Sequence, residues 1–173
     1  MPKGEIALIQ KAIIKNKAIL GVCLGAQLLG EAFGAKVEHS PHKEIGVYPI
    51  YTTTSATIDE LFSSFPERLL VGHWHGDMPG LTNSAKVLAY SDGCPRQIIE
   101  YKSRVYGFQC HFEFTAESIE NMLKEGNEIF EIQKKIPFVC KPEFLKTYDY
   151  SEMNSYLFSF LDKLEVEIKR TNP

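Results

Sequence analysis

The run A-I-L-G-V-C-L-G, residues 18–25, constrains this chain more than any other stretch. Residues 18–22 form a short apolar run with the length of a buried strand, and an amphipathic helical pattern starts at Leu24 with no spacer. A chain that passes from strand to helix through one residue must turn sharply there, and such junctions belong to α/β architectures. Gly21 and Gly25 flank Cys23 at −2 and +2, the spacing of the G-x-S-x-G nucleophile elbow with cysteine in place of serine. Small residues are expected at both places because the backbone folds close on itself. The following helix N-terminus favours a thiolate, and the free N–H of Leu24 points to where an oxyanion would form. Cys23 read as a small buried hydrophobe is the plainer alternative, and the elbow pattern alone does not separate the two.

A second feature does. The segment Y-G-F-Q-C-H-F-E, residues 106–113, reads as a strand ending in His111, with Glu113 two residues on. Residues i and i+2 of a strand project to one side, so the carboxylate can lie against one imidazole nitrogen. That contact would fix the tautomer and leave the other nitrogen free to take a thiol proton.

The rest of the chain supplies a scaffold. Ile6, Ile9 and Ile13 recur at helical spacing over residues 5–15, with Leu8, Ala12 and Ile14 widening the face. The helix from Leu24 runs to Phe33 and is capped by Gly34. Strands are expected over 46–52, 68–74, 86–90, 97–101 and 104–110, and Thr57-Ile-Asp-Glu60 has the form of a capping box for a short helix to Phe65. Thr115 can cap a long helix to about Ile132, and a final helix over 151–168 carries Met153, Tyr156, Leu157, Phe160, Leu161 and Leu164 on one stripe. A single domain spanning 1–173 is the natural unit for 173 residues that are 44% hydrophobic and 24% charged.

Charge and apolar runs narrow the partners. A net charge of −3 gives no footprint for nucleic acid or an anionic membrane, no run approaches a membrane span, and M-P-K-G-E is not a signal peptide. The expected location is the cytoplasm. Cys23, Cys94, Cys110 and Cys140 are widely spaced with no C-x-x-C pair, which favours reduced thiols. In H-W-H-G-D, His73 and His75 project from one strand face, but no third ligand is evident. Packing and substrate contacts, with Trp74 as an apolar anchor, are the preferred account, so no metal is expected.

G-V-C-L-G-A-Q-L-L-G followed by Q-C-H-F-E resembles the class I glutamine amidotransferases, the triad type found in the glutaminase domain of GMP synthase. E-I-G-V at Glu44, H-W-H-G-D at His73 and the closing helix M-N-S-Y-L-F-S-F-L at Met153 extend the likeness over nearly the whole chain. The resemblance implies a flavodoxin-like fold, with a mostly parallel or mixed central sheet flanked by helices. It implies that Cys23 attacks the glutamine side-chain amide to give a γ-glutamyl thioester. His111 then serves as acid to ammonia and base to water, and Glu113 orients His111. It places Leu24, Gln27, Trp74 and His75 around the substrate, Gln27 by its side chain and His75 by nearby backbone. No cofactor is implied. Ammonia released from glutamine would pass to an acceptor or synthetase partner elsewhere, since no ATP-binding motif follows.

The sequence departs from the family in two respects. Cys110 and Phe112 replace the commoner Phe and Pro beside the histidine. Family members carry two further strands and a glycine-rich loop, source of a second oxyanion-hole N–H, ahead of the helix that begins here near Glu5, and residues 1–22 contain no such loop. The expectation is an N-terminally shortened chain, with a homo-oligomer as one way to cover the gap. A catalytically impaired amidotransferase-like partner and a thiol hydrolase of other γ-glutamyl compounds are the competing readings.

Overall fold

The computed structural model describes residues 3–125 and 136–171. Helix α1 (Lys3–Ile14) leads into β1 (Ile19–Val22), α2 (Leu24–Ala32), β2 (Glu38–Thr52), a single turn α3 (Thr54–Thr57) and a 3₁₀ turn over Glu60–Phe62. Then follow β3 (Arg68–Met78), β4 (Lys86–Tyr90), β5 (Ile98–Lys102), β6 (Val105–Phe108), α4 (Ala116–Glu125), α5 (Pro142–Thr147) and α6 (Ser151–Thr171). The six strands make one sheet in the order β1-β6-β5-β4-β2-β3. Among the described strands only β1 and β6 pair in parallel; the other pairs are antiparallel, so of the two sheet types anticipated the mixed one is realised.

The parallel pair positions the site. With Ile19 opposite Val105 and Val22 opposite Phe108, β1 and β6 end side by side, and the Cys23 N–H continues the ladder to the Phe108 carbonyl at 2.7 Å. Parallel strands present their C-terminal ends at one edge, where α/β sheets carry their chemistry.

Most of the core lies between the sheet and α6. Phe62, Tyr106, Phe108 and Phe160 form an aromatic cluster with ring centroids 5.1–6.2 Å apart, continued by Phe65, Phe112 and Tyr156. The α6 stripe follows its helical period, with Met153, Phe160 and Leu164 buried and Tyr156 and Leu157 packed beside them; Leu161 alone stands exposed. Leu29, Ile99, Tyr101 and Val105 make a smaller core that receives Ile9 from α1. Ile6, Ile9 and Ile13 are half-buried, while Leu8 and Ile14, expected to widen that face, are exposed among the described residues.

The local capping signals are realised in part. Gly34 adopts φ +86° after α2 and its N–H reaches Glu31 O, as a helix-ending glycine should. Thr115 Oγ1 accepts from Ser118 N–H at 3.1 Å, and Ser118 Oγ answers by accepting from Thr115 N–H, a reciprocal cap for α4. The far part of that helix, toward Ile132, lies outside the described residues. Thr57 does not cap a helix: it closes α3, and Asp59 caps the next turn by accepting from Leu61 N–H at 2.8 Å.

Replacing Phe160, fully buried between β6 and the 3₁₀ turn, removes the centre of the aromatic cluster. Phe160→Ala is expected to lower unfolding stability by about 3–5 kcal/mol in a denaturant titration.

Candidate active site

Cys23 occupies the junction of β1 and α2 with φ 49° and ψ −108°, a backbone state that L residues rarely hold and that costs about 1–3 kcal/mol. Its carbonyl accepts from Ala26 and Gln27 N–H at 3.0 and 3.2 Å, so α2 begins without delay. The Leu24 N–H, first in the helix, has no intrahelical acceptor by geometry. The glycine requirement falls on one of the two flanking positions. A Cβ on Gly21 would lie 2.5 Å from Gly25 C and O, whereas one on Gly25 would meet nothing within 4 Å. Gly21 is thus the position that lets the turn close.

The partner histidine comes from beyond β6. The chain leaves the ladder after Phe108, Gln109 N–H bonds Gln97 O, and His111 then exchanges both backbone hydrogen bonds with Gly72 of β3 at 2.8 and 2.9 Å. The expected strand over 104–110 therefore ends at Phe108, because residues 109–111 cross from β5 toward β3. The i, i+2 relation still holds: His111 Nδ1 and Glu113 Oε1 are 2.5 Å apart.

Two further groups hold this segment. The Phe114 ring stacks on His111 with centroids 4.4 Å apart at 12°. Gly72 makes room for that ring, since a Cβ there would lie 2.3 Å from Phe114 Cδ2. From α6, Asn154 Nδ2 donates to the carbonyls of Phe112 and Phe114 at 2.5 and 3.0 Å, bracketing Glu113.

The electrostatics follow from the pairing. Burial pushes the His111 imidazolium down, but the neighbouring Cys23 thiol and Glu113 carboxylate outweigh it and raise the ring to about 9. Burial works against the Glu113 carboxylate as well, yet its hydrogen bond to His111 leaves it below its ordinary value. His111 Nε2 is buried and makes no hydrogen bond of its own, even though the thiol is near enough to bias it. That nitrogen is the one free to exchange a proton with Cys23.

Other expected residues divide. Gln27 is buried on α2 and donates through Nε2 to Gln109 Oε1 at 3.0 Å, and Gln109 Nε2 reaches Cys23 Sγ at 3.6 Å. Gln109 was not anticipated, although it stands two residues before His111 and the same alternation could have found it. The Leu24 side chain is exposed, and its backbone N–H opens α2 directly after Cys23. Trp74 is half-buried against the main core, on the face of β3 opposite His73 and His75. His75 turns inward, where with His73 it meets Glu44, and it is coupled to His111 through space. Burial pushes both of these rings down, His75 to about 4, and pushes Glu44 up to about 7. Cys110 is wholly buried and points to Gln97 O, away from the site.

A family model described as "Glutamine amidotransferase class-I" matches residues 2–128. The glutamine amidotransferase-like protein YfeJ of Salmonella typhimurium is 47% identical over 163 residues, covering 94% of this chain and 68% of that one. Anthranilate synthase component 2 of Helicobacter pylori is 36% identical over 111 residues, covering 64% of this chain and 56% of that protein. The crystal structure of a glutamine amidotransferase from Thermotoga maritima superposes with a TM-score of 0.82 at 28% identity, covering 94% of this chain and 68% of that one. No helix among the described residues is long and apolar enough to cross a membrane.

The sign of the His111 shift makes a prediction. Its folded value lies above the ordinary 6.5, so the stabilisation it brings is complete below about pH 6.5 and is lost as pH rises through about 9. The gap in melting temperature between the protein and His111→Gln should narrow across that window. A gap that stays constant from pH 6 to 10 would contradict the assigned ion pair.

Proposed function

Since this chain belongs to the class I glutamine amidotransferase family, we propose that it hydrolyses the side-chain amide of glutamine through Cys23, His111 and Glu113. The observation that carries this reading is the strained Cys23 set beside the unpartnered Nε2 of His111, whose Nδ1 is already held by Glu113. An isolated buried thiol would need neither the backbone strain nor the oriented imidazole.

The Cys23 thiolate attacks the amide carbon, and the developing oxyanion lies toward the Leu24 N–H at the start of α2. His111, as imidazolium, protonates the departing nitrogen and ammonia leaves with the γ-glutamyl group bound as a thioester. The neutral imidazole then takes a proton from water, hydroxide attacks the thioester carbon, and cleavage of the C–S bond releases glutamate and restores the thiolate. Glu113 keeps the proton on Nδ1 and stabilises the imidazolium without accepting that proton. Gln109, bonded to both Gln27 and Cys23, steadies the thiol side of the site.

Ammonia needs a consumer. One relative is by name a component of anthranilate synthase, and on that analogy the acceptor reaction lies on a partner polypeptide or domain. Four free cysteines, one of them the nucleophile, suit the reducing cytoplasm.

Glutamate release from glutamine tests the proposal. Cys23→Ala should remove turnover by a factor on the order of 10⁴ or more. Glu113→Gln should lower kcat by between about 10²- and 10⁴-fold with little change in KM. Release that is independent of Cys23, or none from folded protein, would reject the assignment.

A further inference from the structure

Three donor atoms meet in the interior beneath the catalytic histidine. Glu44 Oε2 lies 3.4 Å from His75 Nε2 and 3.6 Å from His73 Nδ1, and the two nitrogens are 3.5 Å apart. All three side chains are at most 1% exposed. The arrangement follows from strand register: Glu44 of β2 faces His75 of β3 as a direct cross-strand pair, and His73 lies two residues along the same face.

Hydrogen bonds do not account for this triangle. Its edges exceed the 2.7–3.2 Å of a good N–H···O bond. His73 Nε2 faces the Tyr48 carbonyl at 3.3 Å, and a carbonyl only accepts, so the proton sits there and Nδ1 turns a lone pair inward. His75 Nε2 faces the same space and meets Gln97 Nε2, an amide donor, at 3.3 Å, so it turns a lone pair inward as well. Two lone pairs and a carboxylate oxygen then converge without a positive charge between them. Tetrahedral coordination with metal–ligand bonds of about 2.1 Å spaces neighbouring donors by about 3.4 Å. The triangle has that size on all three edges.

We propose that Glu44, His73 and His75 bind a divalent transition-metal ion of the zinc class, as a structural site clamping β2 to β3. Two imidazoles and one carboxylate are a common donor set for such ions. Gln97 supplies the remaining vertex. Its Nε2 stands 3.3 Å from His75 Nε2 and 2.7 Å from Glu44 Oε2, while its Oε1 is buried without a partner. A half-turn of this amide presents Oε1 as the fourth donor. Ser91 Oγ donates to both carboxylate oxygens of Glu44 at 2.8 and 2.9 Å, fixing that ligand from behind. The clamp lies next to Gly72, whose backbone holds His111, so the ion would brace the strand that positions the imidazole.

The test uses the full chain. Protein purified without chelator should carry one equivalent of zinc by elemental analysis. After stripping and refolding with cobalt(II), it should show the visible bands of tetrahedral Co(II) without a thiolate charge-transfer band. Cys23→Ala should bind equally, and Glu44→Gln should bind at least about 100-fold more weakly. Since Glu44→Gln can fail to fold, the metal content and cobalt spectrum of the unaltered protein decide the matter alone. Three results would overturn the proposal: substoichiometric metal with no cobalt spectrum in protein folded by circular dichroism, a thiolate band lost in Cys23→Ala, or unchanged binding in folded Glu44→Gln.

Discussion

Everything at the candidate site depends on the parallel pairing of β1 with β6. Among the described residues it is the one pair of neighbouring strands that end at the same edge, and those ends carry Cys23 and the segment leading to His111. Had β1 paired antiparallel, the thiol and the imidazole would lie at opposite edges. The hydrogen bond from Cys23 N–H to Phe108 O extends the ladder by one residue beyond β1 and seats the strained turn against β6. The strain is held on both sides, by the ladder before Cys23 and by the immediate onset of α2 after it.

Around this pair the interior separates two kinds of charge. His111 and Glu113 form an ion pair at the rim, with the carboxylate close to half exposed and held in its charged form by the imidazolium. Glu44, His73 and His75 are sealed, and burial drives each of them toward neutrality. β3 serves both groups: Gly72 bonds His111 through its backbone while its neighbour His73 points into the sealed cluster. Gly72 also admits Phe114, the ring against which His111 lies.

The elements with strong local signals were legible in the sequence. The bounds of β4 match the sequence pattern to the residue and those of α2 and α6 to within a few, and two short motifs are enough to bring Cys23, His111 and Glu113 to notice. What escaped was set by partners distant in the chain. Residues 38–44 are polar and contain Pro41, and nothing in their pattern suggests a strand. They join β2 because Glu38 pairs with Met78 and the ladder tolerates an irregularity between His39 and Glu44. Glu44 therefore fell just outside the expected strand, and its pairing with His75 could not be foreseen. Asn154 was likewise visible only as part of a helix, since its use depends on where residues 112–114 pass. Gly25, by contrast, looked essential by spacing and proves to matter only as the surface Gly21 must clear.

The β1–β6 pairing also bears on how the molecule reaches its native state. The two strands are separated by most of the sheet's sequence, so their register is a contact of high order, and such contacts are entropically expensive to close and tend to form late. Hairpins such as β5–β6 can form locally and wait for β1 to dock alongside. The thiol acquires its imidazole only when that docking is complete. The meeting of Cys23 with His111 is therefore a built-in marker of finished folding, present only in molecules that have completed the sheet.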